Sequence, residues 1–142
     1  MQSLGILGRD VGALLKTRKE TLAVAESSAG GVIVYTYAGR EALLGITNDE
    51  MKGMRSATEA YARLVARRLR EKLGATWGLA ETGASGPSGN RYGDAPGHAC
   101  IAVSGPREAA ATLETGRADR EANMWAFAEH ALALLEDCLR RT

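Results

Sequence analysis

The stretch Thr21–Tyr37, TLAVAESSAGGVIVYTY, decides how the fold is read. Thr21–Ala25 is a short apolar run, the signature of a buried strand. Glu26-Ser27-Ser28-Ala29-Gly30-Gly31 is a small, polar loop that ends in glycines. Val32–Tyr37 is built almost wholly of β-branched and aromatic residues and is the strongest strand signal in the chain. Neither run alternates apolar with polar, so both read as strands covered on both faces, as in a parallel sheet. A parallel crossover needs ~10–12 residues or more, and only the six residues 26–31 lie between them. Either the two strands form a hairpin, or a crossover helix is missing. A hairpin suits strands with one solvated face, which these are not. The expectation is therefore that a segment is absent at or near Gly30-Gly31-Val32, deleted from the chain or left out of the sequence as it stands.

Outward from this stretch, helices and strands alternate. Ser3–Lys19 carries Leu4, Leu7, Val11 and Leu14 or Leu15 at helical spacing. Arg40–Leu44 fits one helical turn ended by Gly45. Ser56-Ala57-Thr58-Glu59 has the form of a capping box. It precedes a helix whose apolar face is Tyr61, Leu64, Val65, Leu69 and Leu73, stopped by Gly74. Thr76–Glu81 reads as a strand and Thr82–Gly97 as a long loop with five glycines. His98–Ser104 and Glu108–Thr115 read as strands joined by a Gly105-Pro106 turn. A last helix over Asp119–Leu139 has Asp119 as its N-cap and a buried stripe of Trp125, Ala128, Leu132, Leu135 and Leu139. Alternation of this kind implies a sheet with helices on both faces. At 142 residues the chain is expected to be a single domain over residues 1–142.

Composition narrows the function. Hydrophobic residues make up 45% and charged residues 25%, which excludes a wholly disordered chain. The net charge of +1 gives no nucleic-acid footprint. Arg63, Arg67, Arg68, Arg70 and Lys72 cluster, and are read as the solvated face of one helix rather than a phosphate patch. Cys100 and Cys138 match neither a disulfide framework nor a zinc site, and read as buried thiols in a reducing compartment. His98 and His130 match no metal spacing. There is no membrane span, and Arg9 and Asp10 interrupt any signal-like apolar stretch. A cytoplasmic location is expected. The 17 glycines exceed the roughly 7% of an average chain, and they point to backbone used at close quarters.

Three stretches can carry chemistry. The Glu26–Gly31 loop follows a buried strand, where α/β proteins place ligands. A serine there is a nucleophile if something takes its proton, or simply the cap of the next helix. Adjacent glycines let N–H groups approach an anion. Glu81–Asn90 is a ligand-covering loop or a flexible surface loop; it has neither a Walker A ending nor the GxGxxG pattern. Arg117-Ala118-Asp119-Arg120, at a helix start, suits an anionic ligand or a surface ion pair with Asp119 or Glu121.

In order, TLAVAESSAGG (21–31), VYTYAGREALLG (34–45), ETGASGP (81–87) and ADREAN (118–123) resemble the motifs of the CinA C-terminal domain family, the nicotinamide-nucleotide amidohydrolases. The resemblance covers nearly the whole chain. It implies a three-layer α/β/α sandwich with a mixed, mostly parallel sheet. It also implies hydrolysis of the carboxamide of nicotinamide mononucleotide to nicotinic acid mononucleotide and ammonia, without metal or cofactor. Ser27 matches the nucleophile and Tyr35 a tyrosine near the reacting amide. Ser28, Gly30, Gly31, Thr82, Gly83, Ser85 and Gly86 match substrate-binding positions, and Arg120 matches the arginine that holds the nucleotide phosphate. The expected partner is a small nucleotide, with no nucleic acid or membrane, and the chain is expected to form a homo-oligomer. Members often carry a further N-terminal domain, which this chain is expected not to have.

The chain departs from the family pattern in three places. The family has a helix after the Gly-Gly pair. Ala29 replaces a threonine. Arg40 stands at the family's lysine, the expected general base. Arginine stays charged in proteins, so Arg40 can stabilise an oxyanion or bind an anion but cannot deprotonate Ser27. Two function classes follow: an amidohydrolase whose base is Tyr35, a water or another residue, or a non-catalytic paralogue that binds a pyridine nucleotide or other small anion. An interaction protein using the fold as scaffold is a weaker third.

Overall fold

The structure, a computed structural model, describes residues 3–29 and 36–142. Its elements are α1 (Leu4–Arg18), β1 (Leu22–Ala25), α2 (Tyr37–Leu44), α3 (Glu59–Leu73), β2 (Trp77–Ala84), β3 (His98–Ser104), β4 (Ala109–Glu114) and α4 (Arg120–Arg140). The sheet order is β1-β2-β3-β4. β1 pairs parallel with β2, in the register Ala25 opposite Ala80. β2–β3 and β3–β4 are antiparallel. The sheet is mixed, as expected, but among the described strands antiparallel pairing prevails over parallel. The reason is local: the loop 85–97 and the Gly105-Pro106 turn each return the chain along its own neighbour, and neither carries a crossover helix.

The alternation of side chains along β3 makes the layers. Cys100 and Ala102 join Ala23, Ala25, Ala80 and the α3 residues Tyr61, Ala62, Val65, Ala66 and Leu69 in one core. Ile101 and Val103 join Trp77, Leu79, Val11 of α1 and Ala131, Leu135, Cys138 and Leu139 of α4 in another. Every residue of β3 is buried, as a strand covered on both faces must be. The sheet thus lies between α3 on one side and α1 with α4 on the other, a three-layer α/β/α arrangement. α3 reaches the sheet closely because Gly78 has no side chain: a Cβ there would sit 2.1 Å from the Ala66 carbonyl oxygen.

Several sequence expectations are corrected. β1 is not covered on both faces: burial alternates along it, with Ala23 and Ala25 buried and Val24 42% exposed, because it is the edge strand of the described sheet and only its α3 face is fully packed. Tyr37 opens α2 rather than ending a strand, because the Thr36 hydroxyl accepts the Gly39 N–H at 2.9 Å and caps the helix. Residues 32–35 of that expected strand, and the expected break at Gly30-Gly31-Val32, lie outside the described residues. Thr82, Gly83 and Ala84 belong to β2, since their ladder with Cys100, Ala99 and His98 continues. The cap of α3 is Thr58, which accepts from the Tyr61 N–H at 3.2 Å, and not Ser56. Ala57 turns at φ +59°, so the helix starts too late for a box from Ser56. Leu73 and Trp125 are 65% and 54% exposed: Leu73 is the last residue of α3, beyond the packed turn that ends at Leu69, and on α4 the buried face runs instead through Asn123, Phe127, Ala131 and Leu135. No helix among the described residues is long and apolar enough to cross a membrane.

Candidate functional site

The parallel pairing of β1 with β2 builds the site. Both strands deliver their carboxyl ends to the same edge, so Glu81, one residue beyond the Ala25–Ala80 pair, meets the Ser27–Ala29 turn. One oxygen of the buried Glu81 carboxylate accepts the N–H groups of Ser28 and Ala29 at 3.0 Å each and of Ser27 at 3.3 Å. The other accepts the Ser28 hydroxyl. Burial pushes the Glu81 carboxyl above its ordinary range, against the bonds from Ser28 and Ser27 that pull it down. Glu81 is therefore the fastener of the serine turn. It occupies the carboxylate slot of an otherwise apolar strand, which is the one signal in the sequence that marks it.

Ser28 is spent on this fastening, whereas Ser27 opens into a pocket of about 500 Å³. Thr82 and Gly83 of β2 and Arg40 of α2 share that pocket. Ser27 Oγ lies 3.5 Å from the Glu81 carbonyl oxygen, a distance at which little hydrogen bonding remains. The back wall is Ala57. Its N–H donates to Thr82 Oγ1 at 3.2 Å, and its carbonyl oxygen lies 2.9 Å from His98 Nε2. The other nitrogen of His98 faces Glu114. Two acceptors on one imidazole call for two ring protons. Burial acts to lower the His98 pKa, but Glu114, the Ala57 carbonyl and Asp94 together raise it. The left-handed backbone of Ala57, unusual for a residue with a side chain, is thus held at both ends.

The rim comes from the loop 85–97. Asn90 knits it, accepting the N–H groups of Tyr92 and Asp94 at 3.0 and 3.1 Å. Arg55 clamps it through Asp94 at 2.6 and 3.1 Å. The bond from that arginine, with a smaller one from Asn90, holds the Asp94 carboxyl down at about 2 against the upward effect of burial. Arg91 and Tyr92 project onto the pocket. The guanidinium carbons of Arg40 and Arg91 each lie 5.0 Å from the centre of the Tyr37 ring, within cation–π range. Burial raises the Tyr61 hydroxyl against the nearby Arg40 charge. At Tyr92 burial also acts upward, but the bonds to Ser56 and Arg91 outweigh it and hold the phenol below its usual value.

Among the described residues, no aspartate or glutamate lines this pocket, and two arginines do. Arg40 is 2% exposed. Its Nε donates to the Ile46 carbonyl at 3.3 Å and its Nη2 to Asn48 Oδ1 at 2.8 Å. None of the ion pairs among the described residues includes Arg40 or Arg91. No group of three or more His, Cys, Asp or Glu among the described residues is placed to hold a metal ion.

A profile of the CinA C-terminal domain matches residues 28–139. The chain belongs to the CinA C-terminal domain family. A CinA-like protein of Synechocystis sp. is 31% identical over 150 residues, covering 92% of this chain and 36% of that protein. One of Anaeromyxobacter sp. (strain Fw109-5) is 33% identical over 147 residues, covering 90% and 36%. The chain thus spans about a third of the length of these relatives. A crystal structure of a CinA superfamily protein from Klebsiella pneumoniae superimposes with a TM-score of 0.89 at 20% identity, covering 99% of this chain and all of that one. A competence or damage-inducible protein from Enterobacter asburiae gives 0.88 at 20%, covering 98% and 99%. The fold is shared with both. In the Synechocystis alignment 150 residues face 92% of this chain's 142. The relative's matched stretch is therefore longer by about nineteen residues, more than the ~12 a parallel crossover needs.

Against the residues expected from the CinA motifs, the structure brings Ser27, Arg40, Thr82 and Gly83 together in the pocket. Ser28 lies behind it, on Glu81. Ser85 is buried with its hydroxyl unpartnered among the described residues, and its carbonyl accepts from Asn123 at 2.8 Å. Arg120 donates to the Gly86 carbonyl at 3.2 Å. Ser85, Gly86 and Arg120 are not among the residues lining the Ser27 pocket. Gly30, Gly31 and Tyr35 lie outside the described residues. Sequence reasoning placed Glu81 and Asn90 only at the ends of a candidate loop, without a role, and missed Ala57, His98, Arg91 and Tyr92; strand pairing and the returning loop bring Glu81, His98, Asn90, Arg91 and Tyr92 to the site.

Proposed function

We propose that this chain is a nicotinamide-nucleotide amidohydrolase-like protein, with nicotinamide mononucleotide as substrate and Ser27 as nucleophile. The observation that carries this reading is the exposure of Ser27 to a pocket that it shares with Thr82, Gly83 and Arg40 at the carboxyl ends of β1 and β2. Ser27 Oγ attacks the carboxamide carbon and its proton leaves to a base. The tetrahedral oxyanion is stabilised by nearby donors. The C–N bond breaks, the nitrogen takes up a proton and departs as ammonia. Water then cleaves the serine ester to give the acid and restore Ser27. Arg40 serves as an oxyanion or anion partner in this scheme and not as the base. A second reading, binding of a pyridine nucleotide or other small anion without turnover, is favoured by Arg40 itself, a buried cation at the position of the family's lysine. We also propose that the residues missing relative to the longer relatives fall between β1 and α2, which end at Ala25 and begin at Tyr37.

Ammonia release from nicotinamide mononucleotide by wild type, Ser27→Ala and Arg40→Lys separates the readings. Turnover abolished by Ser27→Ala and present in wild type supports the amidohydrolase. Absence of turnover in wild type, with release gained in Arg40→Lys, supports the binding protein. Absence of both release and nucleotide binding overturns both.

A further inference from the structure

Among the described residues, the buried charge of Arg40 in the pocket has no counter-charge. A buried guanidinium without a carboxylate is costly, because neutral acceptors repay only part of its lost hydration. Arg40 meets this cost with two neutral acceptors, the Ile46 carbonyl and Asn48. Both bonds use the side of the fork that carries Nε and Nη2. The end of the fork, which carries Nη1, meets no carboxylate among the described residues, and Arg40 lines the cavity. Two parallel N–H groups at that end match the two oxygens of a carboxylate. The Tyr37 ring lies against the same guanidinium, and Tyr61, Ser56 and Thr82 line the same cavity, with no acidic group among the described lining residues.

We propose that Arg40 makes this pocket select an aromatic carboxylate over the corresponding carboxamide, so that the site retains the acid rather than the amide of its ligand. The proposal rests on the pocket assignment above and deepens it by naming the group that Arg40 recognises. A carboxamide offers one acceptor oxygen and an NH₂ that points a donor at a donor-only guanidinium. A carboxylate offers two acceptors and the missing charge. The site then favours the product acid of an amide hydrolysis, and any turnover is inhibited by that acid.

The test is calorimetric titration of the full chain with two matched pairs: nicotinate against nicotinamide, and nicotinic acid mononucleotide against nicotinamide mononucleotide. Inorganic phosphate is run as the anion control. The acid of each pair that binds is expected to bind at least tenfold more tightly than its amide. In Arg40→Gln the preference is expected to collapse to less than about threefold, and in Arg40→Lys to survive in part. Equal thermal midpoints for the variants and wild type separate loss of selectivity from loss of fold, and the survival in Arg40→Lys covers the case in which Arg40→Gln fails to fold. Acid and amide binding equally, phosphate binding as tightly as either acid, or no acid binding at millimolar concentration overturns the proposal. Selective binding of nicotinate with no binding of either nucleotide leaves the proposal standing and overturns the nucleotide reading. Hydrolysis of the mononucleotide without acid preference does the reverse.

Discussion

Replacing Glu81 tests the central claim about how the serine turn is held. Its carboxylate takes three backbone N–H groups and the Ser28 hydroxyl. Hydrogen bonds to a charged acceptor contribute ~1.5–3 kcal/mol each. Ser27 and Ala29 are only half-buried, so water recovers most of their share when the carboxylate is removed. Ser28 is buried on both its N–H and its hydroxyl, and those two bonds set the cost. Glu81→Ala is therefore expected to destabilise the protein by about 3–6 kcal/mol, a large part of the ~5–15 kcal/mol available to a domain. Glu81→Gln keeps one oxygen for the N–H groups, and its amide can donate to the Ser28 hydroxyl. It is expected to stay within about 1 kcal/mol of wild type at neutral pH.

The pH dependence supplies a separate sign. Burial raises the folded-state pKa of Glu81. The stability linked to its proton is then fully present below the unfolded carboxyl value and is lost as pH rises through the folded value. Glu81→Gln has no such proton. Its stability relative to wild type is expected to improve as pH rises from the unfolded carboxyl value through the raised folded value. Urea denaturation followed by circular dichroism, repeated across that range, measures both effects. A loss in Glu81→Ala below about 1 kcal/mol, or a relative stability of Glu81→Gln that falls with rising pH, would refute the reasoning.

Three further outcomes follow from other parts of the structure. His98 has its pKa raised by Glu114, the Ala57 carbonyl and Asp94 against the effect of burial. Its contribution is full below the unfolded histidine value and fades as pH rises through the folded one, so the advantage of wild type over His98→Gln should shrink by about 1 kcal/mol between pH 6 and 9; an unchanged gap in denaturation free energy would count against the latch on Ala57. Asp94, held at about 2 by Arg55, works the other way: its contribution is present above the unfolded carboxylate value and lost as pH falls toward 2, so Asp94→Asn should weaken the protein at pH 7 by about 1 kcal/mol and match it near pH 2. Gly78→Ala drives a Cβ to 2.1 Å from the Ala66 carbonyl oxygen and should cost about 2–3 kcal/mol in a thermal melt, whereas Gly12→Ala, with open space around it on α1, should stabilise by up to about 1 kcal/mol.

Local signals were legible wherever short-range chemistry decides the outcome. The apolar spacing of α1 and α4, the glycine stop of α3, the Gly105-Pro106 hairpin and β3 all appear at or within two residues of their expected bounds. Thr36 beside a strand-like run was not legible, because a single hydroxyl cap outweighs β propensity only once the helix behind it can pack. The end of β2 was misplaced for a related reason. Thr82-Gly83 looks like the start of a loop, and only the ladder offered by β3 keeps it extended. Trp125 misled because a helical stripe has a width, and the neighbouring helix and sheet choose which residues fill it.

The sequence by itself determined that sheet and helices alternate, that Ser27 stands just past a strand, and that Arg40 occupies a position where arginine cannot act as a base. Those conclusions need only periodicity, residue chemistry and motif order. The tertiary structure alone decided which serine faces the pocket, because Glu81 is 53 residues from Ser28 in the chain and meets it only through the β1–β2 register. It also decided that Arg40 is buried without a carboxylate and that Arg120 lies off the pocket. Burial and the pairing of charges are properties of what the fold brings into contact across long stretches of chain, and no local pattern in the sequence carries them.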